Sequence, residues 1–191
     1  MDTRTRTGAR IILAALAALT LAGSWDSGRE AAGTIHLGSA SPEQRAIVEW
    51  ALERYERAGL ELPSLDVVFH GDPSGCHGNS GFYSPGRLDV CSFDQRDYAR
   101  KVVVHELAHA WSAVNLTAED RERFLHLQGL DVWSSWEVPW GMRGFERAAE
   151  IITWGVGDRS MRPLLPDRDP THLEAAYRML TGQAAPDAPA E

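Results

Sequence analysis

Cysteine is scarce in this chain: Cys76 and Cys91 are the only two among 191 residues. No CxxC pair occurs, which argues against a metal site built from these thiols and the neighbouring His77. A basic excess is also missing. The formal charge is −8 at pH 7, whereas nucleic acid or an anionic membrane surface would call for a basic face, so neither is expected as a partner. No charge run and no internal repeat stands out. The apolar run from Ile11 to Ala22 is too short to cross a bilayer comfortably. What remains is an ordinary globular composition, 43% hydrophobic and 24% charged, enough to bury one sizeable core.

The chain begins like an export segment. Arg4, Arg6 and Arg10 precede the apolar run, which ends in the small residues Ala22, Gly23 and Ser24, so residues 1–24 read as a signal peptide cleaved after Ala22, with an uncleaved anchor as the alternative. No cysteine stands where a lipoprotein signal would need one. A secreted or extracytoplasmic location follows. In such an oxidising compartment Cys76 and Cys91, with Gly78, Gly81 and Pro85-Gly86 between them, are expected to join as a disulfide clasping a hairpin-like loop.

Helix and strand signals then alternate. Ser41-Pro42-Glu43 caps a first helix whose apolar residues Ile47, Trp50, Ala51, Tyr55 and Ala58 recur up to Gly59. The segment Leu65 to His70 reads as a strand, and 82–83 with 87–91, hinged at Ser84-Pro85-Gly86, as a short hairpin. A helix is expected from about 94 to 114. Thr117 with Asp120 caps a third over 118–127, and a loop over 129–144 leads to a fourth striped by Phe145, Ala149, Ile152 and Val156. Thr171 with Glu174 marks a last helix to about Leu180. The expected class is α+β, a small mixed or antiparallel sheet packed with helices, as one domain over 35–182. The Pro- and Ala-rich tail 183–191 is expected to be disordered.

The second helix carries the chemistry. In Val102-Val-Val-His-Glu-Leu-Ala-His-Ala-Trp111, His105 and His109 lie four residues apart, one turn above each other, so both imidazoles can reach one metal ion. Glu106 sits about 100° round the same cylinder. There it can take a proton from a metal-activated water instead of filling a ligand position. An HExxH string arises by accident in roughly 1% of chains this long, so context must decide. Val102, Val103, Val104, Leu107, Ala108, Ala110 and Trp111 are apolar on nearly every side, which describes a buried helix. Polar groups buried there need partners or a metal. The pattern reads as a zinc hydrolase site with Glu106 as general base.

Catalytic zinc takes three protein ligands and keeps one position open. A histidine six residues past His109, in the pattern HExxHxxGxxH, is absent: Ser112 and Asn115 stand at the diagnostic positions. The fourth helix offers Glu146 and Glu150 one turn apart. Either could be the third ligand, with His126, His70 and His77 as further candidates and a solvated helix face as the bland alternative. At this point Val102 to Val156 resembles the gluzincin, or thermolysin-like, zincin metallopeptidases, in which an HExxH helix is followed by a helix supplying a glutamate ligand. The resemblance implies a zinc metallopeptidase acting on protein or peptide substrates, with Glu146 as ligand and Glu150 as the acid orienting the first zinc histidine. It also implies a substrate-pairing edge strand just upstream of the metal helix, at Leu88 to Cys91. The family's acid four residues on is usually aspartate, and here it is glutamate.

Weaker candidates complete the reading. Tyr83, Tyr98, His126, Arg143 and His172 could steady an oxyanion, although each singly is more often a surface or packing residue. Trp133, Trp136 and Trp140 could line a cleft or form a lid, with packing as their commoner role. The rival functions are a non-catalytic metal-binding module of peptidase-like build and a zinc hydrolase of a non-peptide amide or ester.

Overall fold

Local capping signals set most of the boundaries in the computed structural model, which describes residues 33–91, 95–157 and 161–186. The first strand, β1 (Ile35–His36), leads into helix α1 (Pro42–Arg57), where the Ser41 side chain accepts from the Gln44 N–H and Gln44 answers at the Ser41 N–H. This reciprocal cap satisfies two otherwise orphaned donors. Gly59, at φ +66°, lets the chain leave the helix. Strand β2 (Leu65–Phe69) follows, then a 3₁₀ turn over Pro73–Cys76, and then a hairpin of β3 (Gly81–Ser84) and β4 (Arg87–Val90). Its two-residue turn, Pro85-Gly86, places Gly86 at φ +81°, the left-handed conformation that a turn with proline at its first central position and glycine at its second requires.

The sheet is mixed, in the order β1-β2-β4-β3. Strands β1 and β2 run parallel, β2 and β4 run parallel with Val67 opposite Leu88, and only β3 runs antiparallel to β4. Leu88 to Cys91 is therefore not the edge strand that the family resemblance implied. Leu88, Asp89 and Val90 are buried, because β4 is paired on both sides, and the free edge near the metal helix belongs to β3. The two-residue β1 gave no periodicity to read and was not anticipated.

Four helices complete the domain: α2 (Arg96–Asn115), α3 (Ala118–Gln128), α4 (Gly144–Val156) and α5 (Pro170–Thr181). Helix α2 lies in the middle, packed against α1, α4 and the hairpin. Val103, Val104, Leu107, Ala108 and Ala110 are wholly buried along it, as expected of a helix that is apolar all round. Tyr55 ties α1 to it by donating to the Val104 carbonyl at 2.8 Å. Thr117 and Asp120 form the capping box expected at α3. The cap of α5 is Asp169 rather than Thr171: its Oδ1 accepts from the Thr171 N–H at 2.8 Å, and Pro170 occupies the first helical position. Proline's fixed φ and missing N–H start the helix two residues before the Thr171-Glu174 pattern suggests.

Residues 183–186 of the tail expected to be disordered lie against the domain. Gln183 Nε2 donates to the Gly59 carbonyl at 3.4 Å and Ala185 N–H to Glu174 at 3.2 Å. The rest of that tail and the export segment 1–24 lie outside the described residues. Among those described, no helix is long and apolar enough to cross a membrane.

Cys76 and Cys91 are joined, with Cα atoms 6.1 Å apart and 15 residues between them in sequence. The bridge ties the 3₁₀ turn to the end of β4, and so holds the base of the hairpin. Closing a loop of this length removes chain entropy from the unfolded state. Replacing both cysteines by serine is expected to destabilise the protein by about 3 kcal/mol. Denaturant unfolding of the oxidised parent and the double variant measures this; equal midpoints would contradict it.

Candidate metal centre

The helical spacing of His105 and His109 does what the geometry requires. Their rings stand at 89° with centroids 4.8 Å apart, both reaching the same side of α2. Helix α4 packs across this face, and its first turn delivers Glu146. Gly144 lets the start of α4 lie close to α3 and the loop after it, since an added Cβ would lie 2.6 Å from Leu125 Cδ2 and 2.9 Å from Trp133 Cε3. Glu146 Oε2 lies 3.1 Å from His105 Nε2 and 3.2 Å from His109 Nε2. Tetrahedral bonds of about 2.1 Å would place neighbouring ligand atoms about 3.4 Å apart. Both sides that meet at Glu146 are close to that spacing, and all three ligand atoms lie within 4.8 Å of one another, so these three residues can hold a metal ion.

Glu150, one turn further along α4, does not join the triangle. It is 2% exposed and its Oε1 lies 3.2 Å from His105 Nδ1, on the far side of that ring from Glu146. Its other oxygen accepts from the Leu164 N–H at 2.5 Å and from Lys101 Nζ at 3.4 Å. Burial alone would raise this carboxyl's pKa. The close approach and charge of His105, with Leu164 and Lys101, hold it below the usual range instead. Glu146 behaves in the same way: burial opposes ionisation, but hydrogen bonds and charge from His105 and His109 bring its pKa down to about 2. His105 is the counterpart, its burial outweighed by Glu146, Glu150 and Glu106, which push it up to about 10.

Glu106 is set apart from these. Burial raises its pKa, His109 and His105 pull it down, Glu146 pushes it back, and the Tyr83 N–H donates to it. The wall behind it is edge strand β3. At Gly81 an added Cβ would fall 2.7 Å from Glu106 Cγ, 2.8 Å from Glu106 Oε1 and 2.7 Å from Val102 Cγ1. Only glycine lets the strand lie this close. Gly81→Ala is expected to cost about 1–3 kcal/mol through overpacking, read by thermal or denaturant unfolding; an unchanged stability would mean that β3 moves aside freely.

The other histidines lie elsewhere. His70 Nε2 meets Asp89 Oδ1 at 2.5 Å, a carboxylate also held by Arg87. His77 packs edge-on against Phe82 with ring centroids 4.7 Å apart. His126 is exposed in the last turn of α3. None of the three approaches the triangle, and His172 is paired with Asp167 at 2.7 Å on the surface.

The triangle opens into a cleft of about 530 Å³. Tyr83, Tyr98 and Arg143 line it, as do all three loop tryptophans. Trp140 stacks on His105 with ring centroids 6.1 Å apart, and Trp136 is 73% exposed at the rim. Trp133 packs against Phe124 as well, so it serves the core and the cleft together. Residues that the sequence reading missed also line it, chiefly Lys101, Ser112 and Arg121. Lys101 and Ser112 lie four residues before His105 and three after His109, so helical spacing alone could have placed them on this face. Arg121 gave no such signal.

No family model, no curated protein and no solved structure matches this chain.

Proposed function

We propose that the protein is an exported, zinc-dependent metallopeptidase of gluzincin type, with a zincin-like domain and His105, His109 and Glu146 as the zinc ligands. The observation that carries this reading is the division of labour among the carboxylates. Glu146 makes a ligand triangle with the two histidines, Glu150 braces the back of His105, and Glu106 is left beside the triangle. Two neutral imidazoles and one carboxylate favour zinc among common divalent ions. Three side-chain ligands leave a coordination position for solvent, which a structural site would fill with a fourth. The disulfide supports export to an oxidising compartment.

Zinc in such a site acidifies water and polarises a substrate carbonyl. Glu106 Oε accepts the proton of the attacking water and later passes it to the leaving amine. The Tyr83 N–H holds that carboxylate in place, and its burial raises its affinity for the proton it must carry. Glu150 fixes the ring of His105 through Nδ1, keeping Nε2 aimed at the ligand position. Edge strand β3 borders the cleft and leaves room for an extended peptide to pair along it.

The purified protein is expected to contain one zinc per chain and to cut a mixed peptide library. A chelator should abolish cleavage, and added zinc should restore it. Stoichiometric zinc without any cleavage would favour the non-catalytic metal-binding module, and cleavage indifferent to chelation would overturn the reading.

A further inference from the structure

Beyond His109 the cleft changes character. Near the triangle its walls are acidic, through Glu106, Glu146 and Glu150; towards Ala113 they carry Ser112, Arg121 and Trp133. Ser112 lies about 4.5 Å along the helix axis from His109. It is 4% exposed, and its Oγ has no hydrogen-bond partner. Arg121 lies over the Trp133 ring, 5.4 Å from its centre, and Nη2 donates to the Ala113 carbonyl at 3.4 Å. Its Nε is buried and also lacks a partner.

Among the described residues no carboxylate pairs with Arg121, as is true of several other arginines, but Arg121 also lines the cleft and keeps a buried Nε without a partner. A buried hydroxyl and a buried guanidinium N–H left unsatisfied carry a desolvation penalty that a bound group would relieve. The nearby Arg143, held over Trp136 with its centre 4.9 Å from the ring, adds positive potential to the same cleft. A planar guanidinium and a hydroxyl that line one cleft suit a carboxylate.

We propose that Arg121 and Ser112 form a carboxylate-recognising subsite, so that the protein prefers peptides bearing a free carboxylate one or two residues from the bond cut. The proposal rests on the peptidase reading. One extended residue spans about 3.5 Å, comparable to the rise of about 4.5 Å that separates Ser112 from His109 along α2. The carboxylate can be a chain terminus or the side chain of an aspartate or glutamate.

The test uses the zinc-loaded full chain and three probes: acetyl-Gly-Phe-Leu-Phe with a free carboxylate, its C-terminal amide, and the amide whose last residue is glutamate. At least one acidic probe is expected to exceed the neutral amide in kcat/KM by about tenfold or more, the range of a charge-assisted hydrogen bond. Arg121→Gln should shrink that ratio to within about twofold, Arg121→Lys should keep part of it, and Ser112→Ala should lower it by about fivefold. Preference for the free acid alone assigns the subsite to chain termini, and preference for the glutamate amide assigns it to side chains. Equal turnover of all three overturns it, as does a preference that survives Arg121→Gln. If none is cut, the peptidase reading fails separately, and binding decides the subsite. Tryptophan emission of the Glu106→Gln protein should then report at least tenfold tighter binding of an acidic probe than of the amide, a difference erased by adding Arg121→Gln. Equal affinities, or no measurable binding of any probe, overturn it.

Discussion

Glu106→Gln is expected to keep its metal and to lose peptide hydrolysis by roughly 10²- to 10⁴-fold, the usual contribution of a positioned general base. Glutamine matches glutamate in shape, so it can keep the Tyr83 N–H as donor and fit under Gly81 without a new clash. It cannot take up a proton at neutral pH. The ligand triangle of His105, His109 and Glu146 does not include residue 106, so zinc content should stay near one per chain. Metal analysis and kcat/KM on the same preparation separate the two effects. Near-wild-type turnover would remove Glu106 from the chemistry. Loss of zinc together with activity would instead make it a ligand, and the site would need redrawing.

The features legible in the sequence are those written over a few adjacent residues. His105, Glu106 and His109 could be placed because a helix fixes their relative angles, and the capping boxes at Ser41 and Thr117 because their partners lie three residues away. Glu146 was legible as one of two acids on a helix face; choosing between it and Glu150 required knowing how α4 crosses α2. The same limit explains the sheet. Alternation marked β4 as a strand, but its place between β2 and β3 depends on long-range pairing, which no local pattern encodes. At α5 two valid local rules competed, and Pro170 prevailed over the Thr171-Glu174 pattern. Arg121 was invisible because nothing in α3 reveals that the loop after it brings Trp133 under its guanidinium. Ser112 was noticed only as a residue where glycine would stand in another family's pattern, although its spacing from His109 already put it on the metal face.

Removing the two glutamates of α4 one at a time should give unequal losses. Glu146→Ala deletes the only carboxylate among the described residues whose oxygen lies within 3.2 Å of both imidazole Nε2 atoms, and two histidines alone should not retain stoichiometric zinc through gel filtration. Turnover should vanish with the metal. Glu150→Gln keeps the volume of a fully enclosed side chain and can still accept from Leu164 N–H, but it gives up the charge that faces His105 Nδ1, so zinc affinity should fall by about 10- to 100-fold and activity should return at high zinc. Competition against a chromophoric chelator measures both affinities on one scale. The distinction is sharp because the acids differ in what they touch: one shares the face where three donors converge, and the other holds a ring from behind. Loss of zinc in Glu150→Gln with retention in Glu146→Ala would exchange their roles, and comparable weak losses in both would mean that the triangle does not bind the ion.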